Sequence, residues 1–198
     1  MTGPAARQQK EQAPAASDEK LIKSCLDGDS EAWAALIDKY KNLIYSIPVK
    51  FGMYQDAPDI FQAVCVDLMS ELPNLREHRA LPKWLMQTCY HRCLQQRRVA
   101  GRHVELEPEH EEKSVDDSDR PLPEQTLVQL EQEQLLRNVV GEMPERCGRM
   151  IRMLFFETPP RPYDEVAKEL GLATGSIGFI RGRCLARLRR ELEKKGFR

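Results

Sequence analysis

The chain has 198 residues, which is enough for one or two small domains with modest hydrophobic cores. Hydrophobic residues make up 41% of it and charged residues 31%, an ordinary globular profile, and no run of about 18 apolar residues predicts membrane insertion. The formal net charge of −1 excludes a uniformly basic nucleic-acid coat protein.

The first fifty residues predict a disordered leader and two helices. Residues 1–17 are rich in Ala, Gln and Pro and show no apolar period. Helical periodicity begins near Asp18, Gly28 interrupts it, and Asp29 is placed to cap the next helix. That helix is strongly amphipathic, and we expect Pro48 to kink or shorten it. The predicted core positions are Leu21, Ile22, Cys25 and Leu26 in the first helix and Trp33, Leu36, Ile37, Tyr40, Ile44 and Ile47 in the second.

A third helix is predicted to open at Asp56-Ala57-Pro58-Asp59, because proline suits a first helical turn, and to end at Pro73. A fourth is predicted to start near Leu81-Pro82. The predicted inward positions are Phe61, Val64, Cys65, Leu68 and Leu72 in the third helix and Trp84, Leu85, Thr88 and Cys89 in the fourth.

The outer positions of the fourth helix are basic, and two interpretations remain open. Lys83, His91, Arg92, Arg97, Arg98 and Arg102 carry the charge, and the aromatic residues Trp84 and Tyr90 interleave with them. The pattern is either a nucleic-acid surface or an ordinary solvated helix face.

Residues 100–124 predict an acidic flexible linker between a helical domain at 18–99 and a second at 125–198. The segment lacks an apolar period and contains three prolines. Across residues 104–133, eleven acidic residues stand against Lys113 and Arg120, a net charge of −9. Across residues 174–198, eight basic residues stand against two acidic ones, a net charge of +6. This polarity indicates different partners for the two regions.

Two more helices precede the basic end. One is predicted from about Pro123 to Glu142, and another carries Met150, Ile151, Leu154 and Phe155 before a proline-rich stop at 159–162. We find no confident strand. The sequence therefore predicts an all-α protein of two small helical domains.

Residues 163–188 have the spacing of a helix-turn-helix. Small Ala167 lets two helices cross closely, Gly171 can take the left-handed conformation at the corner, and Ile177 anchors the second helix. Thr174 is a plausible N-cap for that helix. An arginine-rich helix after the turn is what a DNA-reading motif requires, whereas the bland alternative is a helical hairpin with a basic surface.

A helical projection divides the second helix of this pair into three faces. The core face holds Ile177, Ile180, Cys184 and Leu188, the polar face holds Ser176, Phe179, Arg183, Arg187 and Arg190, and the third face holds Gly175, Gly178, Gly182 and Ala186. The glycines suggest close approach of another backbone, either DNA or a neighbouring helix, or else a poor helix that tertiary packing tolerates.

Six cysteines are scattered over helical patterns without a C-x-x-C pair. The spacing Cys89-x-His91-x-Cys93 looks ligand-like, but positions two apart point to different helix faces, so zinc is disfavoured. We expect buried, reduced thiols in a cytoplasmic protein. The other histidines are expected to be ordinary surface groups, and no metal site, cofactor site or catalytic set is predicted.

The order of these motifs resembles the bacterial RNA polymerase sigma factors of the sigma-seventy family, in the small two-domain extracytoplasmic-function (ECF) group. The resemblance covers about residues 18–194. It is carried by Gly28-Asp29-Ser30-Glu31-Ala32-Trp33 with Tyr40, by Asp56-Ala57-Pro58-Asp59-Ile60-Phe61-Gln62, by Lys83-Trp84-Leu85, by Glu165-Val166-Ala167-Lys168-Glu169-Leu170-Gly171, and by Gly175-Ser176-Ile177 with Arg187-Leu188-Arg189.

The resemblance implies a non-catalytic cytoplasmic subunit, a monomer when free and nucleoid-associated when bound to polymerase. Its implied partners are the clamp and flap surfaces of core RNA polymerase, promoter DNA and an anti-sigma factor. The first domain would be region two and the second region four. The family carries basic or polar residues where Gly178 and Ile180 stand, so the promoter sequence is not carried over.

The resemblance also implies three sets of binding residues. Those for core polymerase are Asp56, Asp59, Phe61 and Gln62. Those for the minus-ten promoter element are Arg76, Arg79, Lys83, Trp84, His91, Arg92 and Gln95. Those for the minus-thirty-five element are Thr174, Ser176, Phe179, Arg181, Arg183 and Arg187.

Two other functions remain open. A helix-turn-helix regulator would bind duplex DNA without polymerase, often as a symmetric dimer. An interaction protein would occupy polymerase without reading DNA, an alternative that the unusual Gly178 and Ile180 keep open. An enzyme is not expected, since no phosphate-binding loop or recognisable catalytic spacing is present.

Overall fold

The computed structural model describes residues 18–75, 77–104 and 120–197, which form α-helices and short 3₁₀ turns with no strand among them. The helices are α1 (Asp18–Leu26), α2 (Ser30–Lys50), α3 (Ala57–Glu71), α4 (Leu81–Val104), α5 (Glu124–Glu142), α6 (Glu145–Phe155), α7 (Tyr163–Leu170) and α8 (Ile177–Lys194). The predicted all-α class is confirmed. The predicted leader and most of the predicted acidic linker lie outside the described residues. No described helix combines the length and apolarity that a membrane crossing requires.

The chain divides into two compact units, and the boundary lies within α5. We call them the N-terminal unit (Ser17–Gln134) and the C-terminal unit (Leu135–Arg198). The structure differs from the predicted linker of 100–124 at both ends. Helix α4 continues to Val104, because the single Gly101 costs a helix only about 1 kcal/mol relative to Ala. Leu122, near the other end, is anchored by burial and is only 5% exposed.

The N-terminal unit has one continuous core, which α1 to α4 enclose together with Leu122 and with Leu130 of α5. Asp29 caps α2 as predicted, since its carboxylate accepts hydrogen bonds from the backbone N–H of Glu31 (2.9 Å) and Ala32 (3.3 Å). Helix α1 is fixed to α2 because the Tyr40 hydroxyl donates to Asp18 Oδ2 at 2.9 Å. Burial raises the pKa of Tyr40, and the Asp18 charge adds to the effect, so the phenol stays protonated.

The apolar faces of these helices are rotated from those the sequence predicted. Ala32 and Leu43 are buried in α2, whereas Trp33 and Ile37 are half-buried at the edge. In α3, Ala57 and Ile60 are buried while Phe61 and Cys65 are half-buried, and Leu26 of α1 is exposed. In α4, Met86 and Tyr90 are buried, whereas Trp84 and Thr88 are half-buried. Helix α4 packs against both α2 and α3, so its buried arc is wider than one stripe.

Pro48 lies inside α2, which continues to Lys50 before Phe51 caps it. Because proline has no N–H, the carbonyl of Ile44, one turn earlier, loses its helical partner. The thiol of Cys89 on α4 donates to this carbonyl oxygen, with Sγ 3.3 Å from it. A side chain from another helix thus replaces the bond that Pro48 removes.

The C-terminal unit has two smaller clusters. One lies between α5, α6 and α8 and buries Val139, Val140, Met143, Ile151, Cys184, Leu188 and Leu192. The other lies between α6, α7 and the start of α8 and buries Met150, Met153, Leu154, Val166, Ala167, Leu170 and Ile177. Helix α6 approaches α5 closely at Gly148, where a Cβ would lie 3.0 Å from the carbonyl oxygen of Val140.

The turn between α7 and α8 follows the predicted geometry at its corner but not at its second helix. Gly171 has φ +63° and ψ +42°, so it takes the left-handed conformation that ends α7. Thr174 is not the N-cap of α8, and that prediction is wrong. Residues Thr174–Ser176 form a 3₁₀ turn, in which the Ser176 hydroxyl donates to the Ala173 carbonyl at 2.7 Å, and α8 begins at Ile177.

The expectation that the cysteines are all reduced is wrong for one pair. Cys147 of α6 and Cys184 of α8 form a disulfide, with their Cα atoms 5.4 Å apart. Cys25, Cys89 and Cys93 are free and buried, and Cys65 is free and half-buried. The bonded pair is 37 residues apart, so the packing of α6 on α8 creates it rather than any local motif.

Candidate nucleic-acid interface

Buried residues of α7 and α8 fix the two helices in place and leave one face of α8 exposed. Ala167, Leu170 and Ile177 are buried beneath the turn, and Cys184 and Leu188 hold the rest of α8 to the core. Ile180, predicted on the same face, is half-buried. The opposite side of α8 is therefore turned to solvent along its length.

Three residues predicted for the minus-thirty-five element are exposed on α8 at four-residue intervals. They are Phe179, Arg183 and Arg187. The Phe179 side chain is 71% exposed, and the Arg183 guanidinium lies over its ring at 5.9 Å. Thr174 is exposed at the preceding turn, whereas Ser176 is half-buried and bonded within that turn. An exposed aromatic ring with neighbouring guanidinium groups can contact base edges and phosphates.

Arg181 does not belong to this exposed face. Its guanidinium donates to the Tyr163 hydroxyl at the start of α7 and lies 5.6 Å from the centre of that ring. The side chain is half-buried, and it holds the start of α7 to α8. The sequence placed it with Arg183 and Arg187 because all three are arginines of one helix.

The glycine face of α8 is open. A Cβ added at Gly175, Gly178 or Gly182 would meet no heavy atom within 4 Å. Within the described residues, a neighbouring helix therefore does not explain these glycines.

The residues predicted to bind core polymerase lie at the start of α3. Asp59 and Gln62 are exposed, whereas Phe61 is half-buried and stacks on Tyr45 with ring centres 4.7 Å apart. Asp56 accepts a hydrogen bond from Gln96 of α4 at 3.1 Å. The exposed face continues along α3 with Val66 and Met69, which are 65% and 62% exposed. The sequence analysis placed these two residues neither in this set nor in the predicted core of the third helix.

The residues predicted to contact the minus-ten element are only partly available. Arg76 lies outside the described residues, Arg79 and Lys83 are exposed, and Trp84 packs against the core. Arg92 pairs with Asp67 of α3 through two hydrogen bonds, one of 2.7 Å, and it also donates to Gln95 Oε1 at 3.0 Å. The bond to Asp67 raises the pKa of Arg92. Tyr90, predicted as an aromatic among the bases, is a core residue.

A short stretch that we call the strap, residues 120–123, crosses α4 beside His91. The backbone N–H of Leu122 donates to Gln87 Oε1 at 3.0 Å, and Gln87 Nε2 donates to the carbonyl of Arg120 at 3.1 Å. His91 Nε2 lies 3.2 Å from the same carbonyl oxygen. The side chain of Leu122 enters the N-terminal core. The His91 position predicted for DNA is therefore held by an internal contact.

The Cys89-x-His91-x-Cys93 spacing does not form a metal centre. No group of three or more His, Cys, Asp or Glu side chains in the described part of the chain is arranged to hold a metal. Cys89 and Cys93 lie on the buried side of α4, and His91 turns toward the strap. The neighbouring Cys93 and burial raise the pKa of Cys89, which keeps it a thiol.

The chain is similar to a known bacterial protein, although no family model describes it. It is 21% identical over 171 residues to the ECF RNA polymerase sigma-E factor of Haemophilus influenzae (strain ATCC 51907 / DSM 11121 / KW20 / Rd). The match covers 81% of this chain and 87% of that protein, so the likeness runs along most of both chains rather than resting on one motif.

Proposed function

We propose that this chain is a transcription initiation factor of the sigma type, which binds core RNA polymerase and directs it to specific promoters. The observation that carries the proposal is the exposed face of α8, where Phe179, Arg183 and Arg187 stand in one row after a glycine-cornered turn. The order of sequence motifs and the similarity to an ECF sigma-E factor along most of both chains support it.

In this proposal the C-terminal unit contacts the minus-thirty-five element. The exposed α8 face enters the major groove, where arginine contacts guanine edges and phosphates and the Phe179 ring contacts apolar base edges. The open glycine face allows the helix backbone to approach a DNA strand without side chains between them. Thr174 is exposed in the turn before the helix and is a candidate phosphate contact.

The N-terminal unit would bind the polymerase clamp and the minus-ten element. The clamp contact is assigned to the exposed α3 face of Asp59 and Gln62, extended by Val66 and Met69. The minus-ten contact is assigned first to Arg79 and Lys83, which are exposed. His91, Arg92 and Gln95 would join only after exchanging their present intramolecular bonds for DNA.

The chain supplies binding and no chemistry in this proposal. It needs no cofactor, it acts as a monomer until it joins polymerase in the bacterial cytoplasm, and an anti-sigma protein is a candidate partner. Its net charge of −1 predicts weak DNA binding by the free chain, so promoter binding should depend on polymerase.

In vitro transcription with core polymerase and sheared genomic DNA tests the proposal. We expect promoter-dependent transcripts that require the chain and that disappear when Arg183 and Arg187 are changed together to Glu. Arg189→Glu is the matched control, because this exposed arginine is bound to Glu193 at 2.8 Å, off the Phe179 row.

The outcomes separate the alternatives. Specific footprints on duplex DNA without polymerase would indicate a helix-turn-helix regulator. Tight binding to core polymerase with no transcript from any template would indicate an interaction protein, as would transcripts that survive the double charge reversal.

A further inference from the structure

We propose that Cys147 and Cys184 are a reversible redox pair, oxidised by a hydroperoxide and reduced by a dithiol, that couples oxidation to DNA binding by α8. The proposal rests on the function proposed above, because a transcription factor works in the bacterial cytoplasm. Disulfides in that compartment are usually catalytic or redox-sensing rather than permanent.

The two sulfur atoms sit in unequal surroundings. Cys184 is 1% exposed within the cluster of α5, α6 and α8, whereas Cys147 is half-buried at its edge. Both cysteines line a groove in the surface, together with three arginines of α8, Arg183, Arg187 and Arg190. Guanidinium groups beside a thiol favour its thiolate, which is the reactive form. Cys147 is therefore the thiol that an oxidant meets first.

The opposing charge near this groove is limited. Glu191 lies close enough to Arg187 and Arg190 to feel their charges, but its carboxylate accepts a hydrogen bond from Lys194 at 2.9 Å. That bond and the neighbouring cations lower the pKa of Glu191. The groove therefore stays cationic beside Cys147.

The oxidation step balances with a hydroperoxide as the oxidant. The Cys147 thiolate attacks the terminal peroxide oxygen, and with a proton it gives a sulfenic acid and an alcohol, or water when the oxidant is hydrogen peroxide. The Cys184 thiol then attacks the sulfenic sulfur, the S–S bond forms, and water leaves. Reduction by a dithiol returns two electrons and two protons through a mixed disulfide.

The other cysteines of the chain provide an internal contrast. Cys89 and Cys93 are one turn apart on α4, where Cβ atoms stand about 5–6 Å apart, whereas a disulfide needs about 3.5–4.5 Å. Cys65 is half-buried like Cys147, but burial raises its pKa and it has no cysteine partner. Exposure alone therefore does not distinguish Cys147. The paired sulfur and the arginine groove distinguish it.

The bond connects oxidation to the proposed DNA-binding face. Cys184 follows Arg183 directly and precedes Arg187 by one turn, so the disulfide ties this part of α8 to α6. The C-terminal unit has only about 60 residues, a size at which a core is modest and a covalent link matters. Oxidation holds α8 in the orientation that presents its arginines, and reduction loosens it, so the oxidised form should bind DNA more tightly.

Thiol trapping on the full-length chain tests the redox pair without reference to DNA. The protein is reduced with dithiothreitol, treated with equimolar hydrogen peroxide, and labelled with a maleimide polymer that shifts its gel mobility. We expect the wild type to lose two labels together and to regain them with thioredoxin. Cys147→Ser keeps only Cys184 of the pair and should lose no label. Cys65→Ser is the matched control and should oxidise like the wild type.

The same labelling in growing cells shows whether the pair is reversible in its own compartment. We expect reduced thiols during growth and the disulfide after peroxide. A pair that stays oxidised in unstressed cells, or that oxidises no faster than Cys65, would overturn the proposal. Cys147→Ser is preferred to a change at Cys184, which is 1% exposed, because it removes the bond without placing a serine in the packed cluster.

A second experiment measures DNA binding. Its probe is a duplex that the oxidised protein, together with core polymerase, selects from a random-sequence library. We expect reduction to weaken binding of that duplex by at least about fivefold, the lower end of usual coupling between sites. Cys147→Ser should match the reduced wild type under both conditions. Equal affinity in both redox states would refute the coupling between oxidation and DNA binding. Failure to select any duplex would count against the proposed function, while the thiol-trapping result would still test the redox pair.

Discussion

The two units of this molecule use arginine and cysteine in opposite ways. In the N-terminal unit, Arg92 donates to Asp67, and the thiol of Cys89 donates to the backbone carbonyl of Ile44. Both side chains therefore stabilise the fold. In the C-terminal unit, Arg183 is exposed over an exposed ring, and Cys184 is linked to a second helix beside it. These particular residues are therefore structural in the N-terminal unit, whereas in the C-terminal unit Arg183 and Cys184 lie next to a helix face that the small clusters leave open.

The largest effect should come from removing the disulfide. Closing a loop of 37 residues stabilises a folded unit by about 4 kcal/mol through the entropy of the unfolded chain, so Cys147→Ser should destabilise the C-terminal unit by about that amount. Both tryptophans, Trp33 and Trp84, belong to the N-terminal unit. The urea midpoint detected by tryptophan fluorescence should therefore stay unchanged, while amide hydrogen exchange in α8 should accelerate.

A shift of the tryptophan transition of the same size would contradict this separation. It would mean that the two units unfold together. Dithiothreitol treatment of the wild type is the control, and it should reproduce the Cys147→Ser result.

A smaller effect is expected when the strap is detached. Leu122→Asp removes a leucine from the N-terminal core, and burial of such a side chain stabilises by roughly 1.5–3 kcal/mol. The tryptophan-detected urea midpoint should fall accordingly, and amide exchange in α8 should not change. Leu127→Asp gives a matched comparison, because Leu127 is only half-buried against the same core. An equal or larger loss for Leu127→Asp would show that the strap contributes little.

A loss of roughly 1–2 kcal/mol is expected from Cys89→Ala, because the Ile44 carbonyl is left without a donor in a buried site. In a Pro48→Ala background, the new N–H at position 48 can donate to the Ile44 carbonyl. Cys89→Ala should therefore lower the free energy of unfolding by less in that background. The double-mutant cycle is measured by urea unfolding with tryptophan fluorescence. Additive losses would show that the thiol bond has no energetic link to the proline.

The smallest effect on stability is expected at Phe179. Its side chain is 71% exposed, so Phe179→Ala should change the free energy of unfolding by less than about 0.5 kcal/mol. Promoter-dependent transcription should nevertheless fall if the ring contacts DNA. Leu185→Ala, at another exposed apolar position of α8, is the control for a general surface effect. Transcription equal to the wild type would remove Phe179 from the proposed interface.

The sequence was most informative where a local rule decides the structure. The apolar period located the helices, Asp29 had the side chain that a cap requires, and Gly171 had the freedom that a left-handed corner requires. Thr174 satisfied the same kind of rule, but residues Thr174–Ser176 form a 3₁₀ turn, so the N-cap position of α8 falls at Ser176 rather than at Thr174. Such boundaries depend on how the preceding turn packs as well as on the capping side chain.

The features that the sequence did not indicate all join residues far apart in the chain. The disulfide requires α6 to lie on α8, and the Arg92–Asp67 pair requires α4 to lie on α3. The strap carries no apolar period, so a single buried leucine in a proline-rich stretch gave no signal. For the candidate interface, composition identified the basic helix α8, and the helical projection put Arg183 and Arg187 on one polar face. The structure adds that Arg181 is bound to Tyr163, a contact that the sequence did not indicate.

The bond between Cys89 and the Ile44 carbonyl also has an evolutionary consequence. A lineage that replaces Pro48 with a residue bearing an N–H restores the helical donor and frees position 89 from supplying one. A lineage that keeps the proline must keep a small donor at position 89 or lose stability. Substitutions at these two distant positions should therefore be inherited together, with the proline tolerated only while its substitute donor is present.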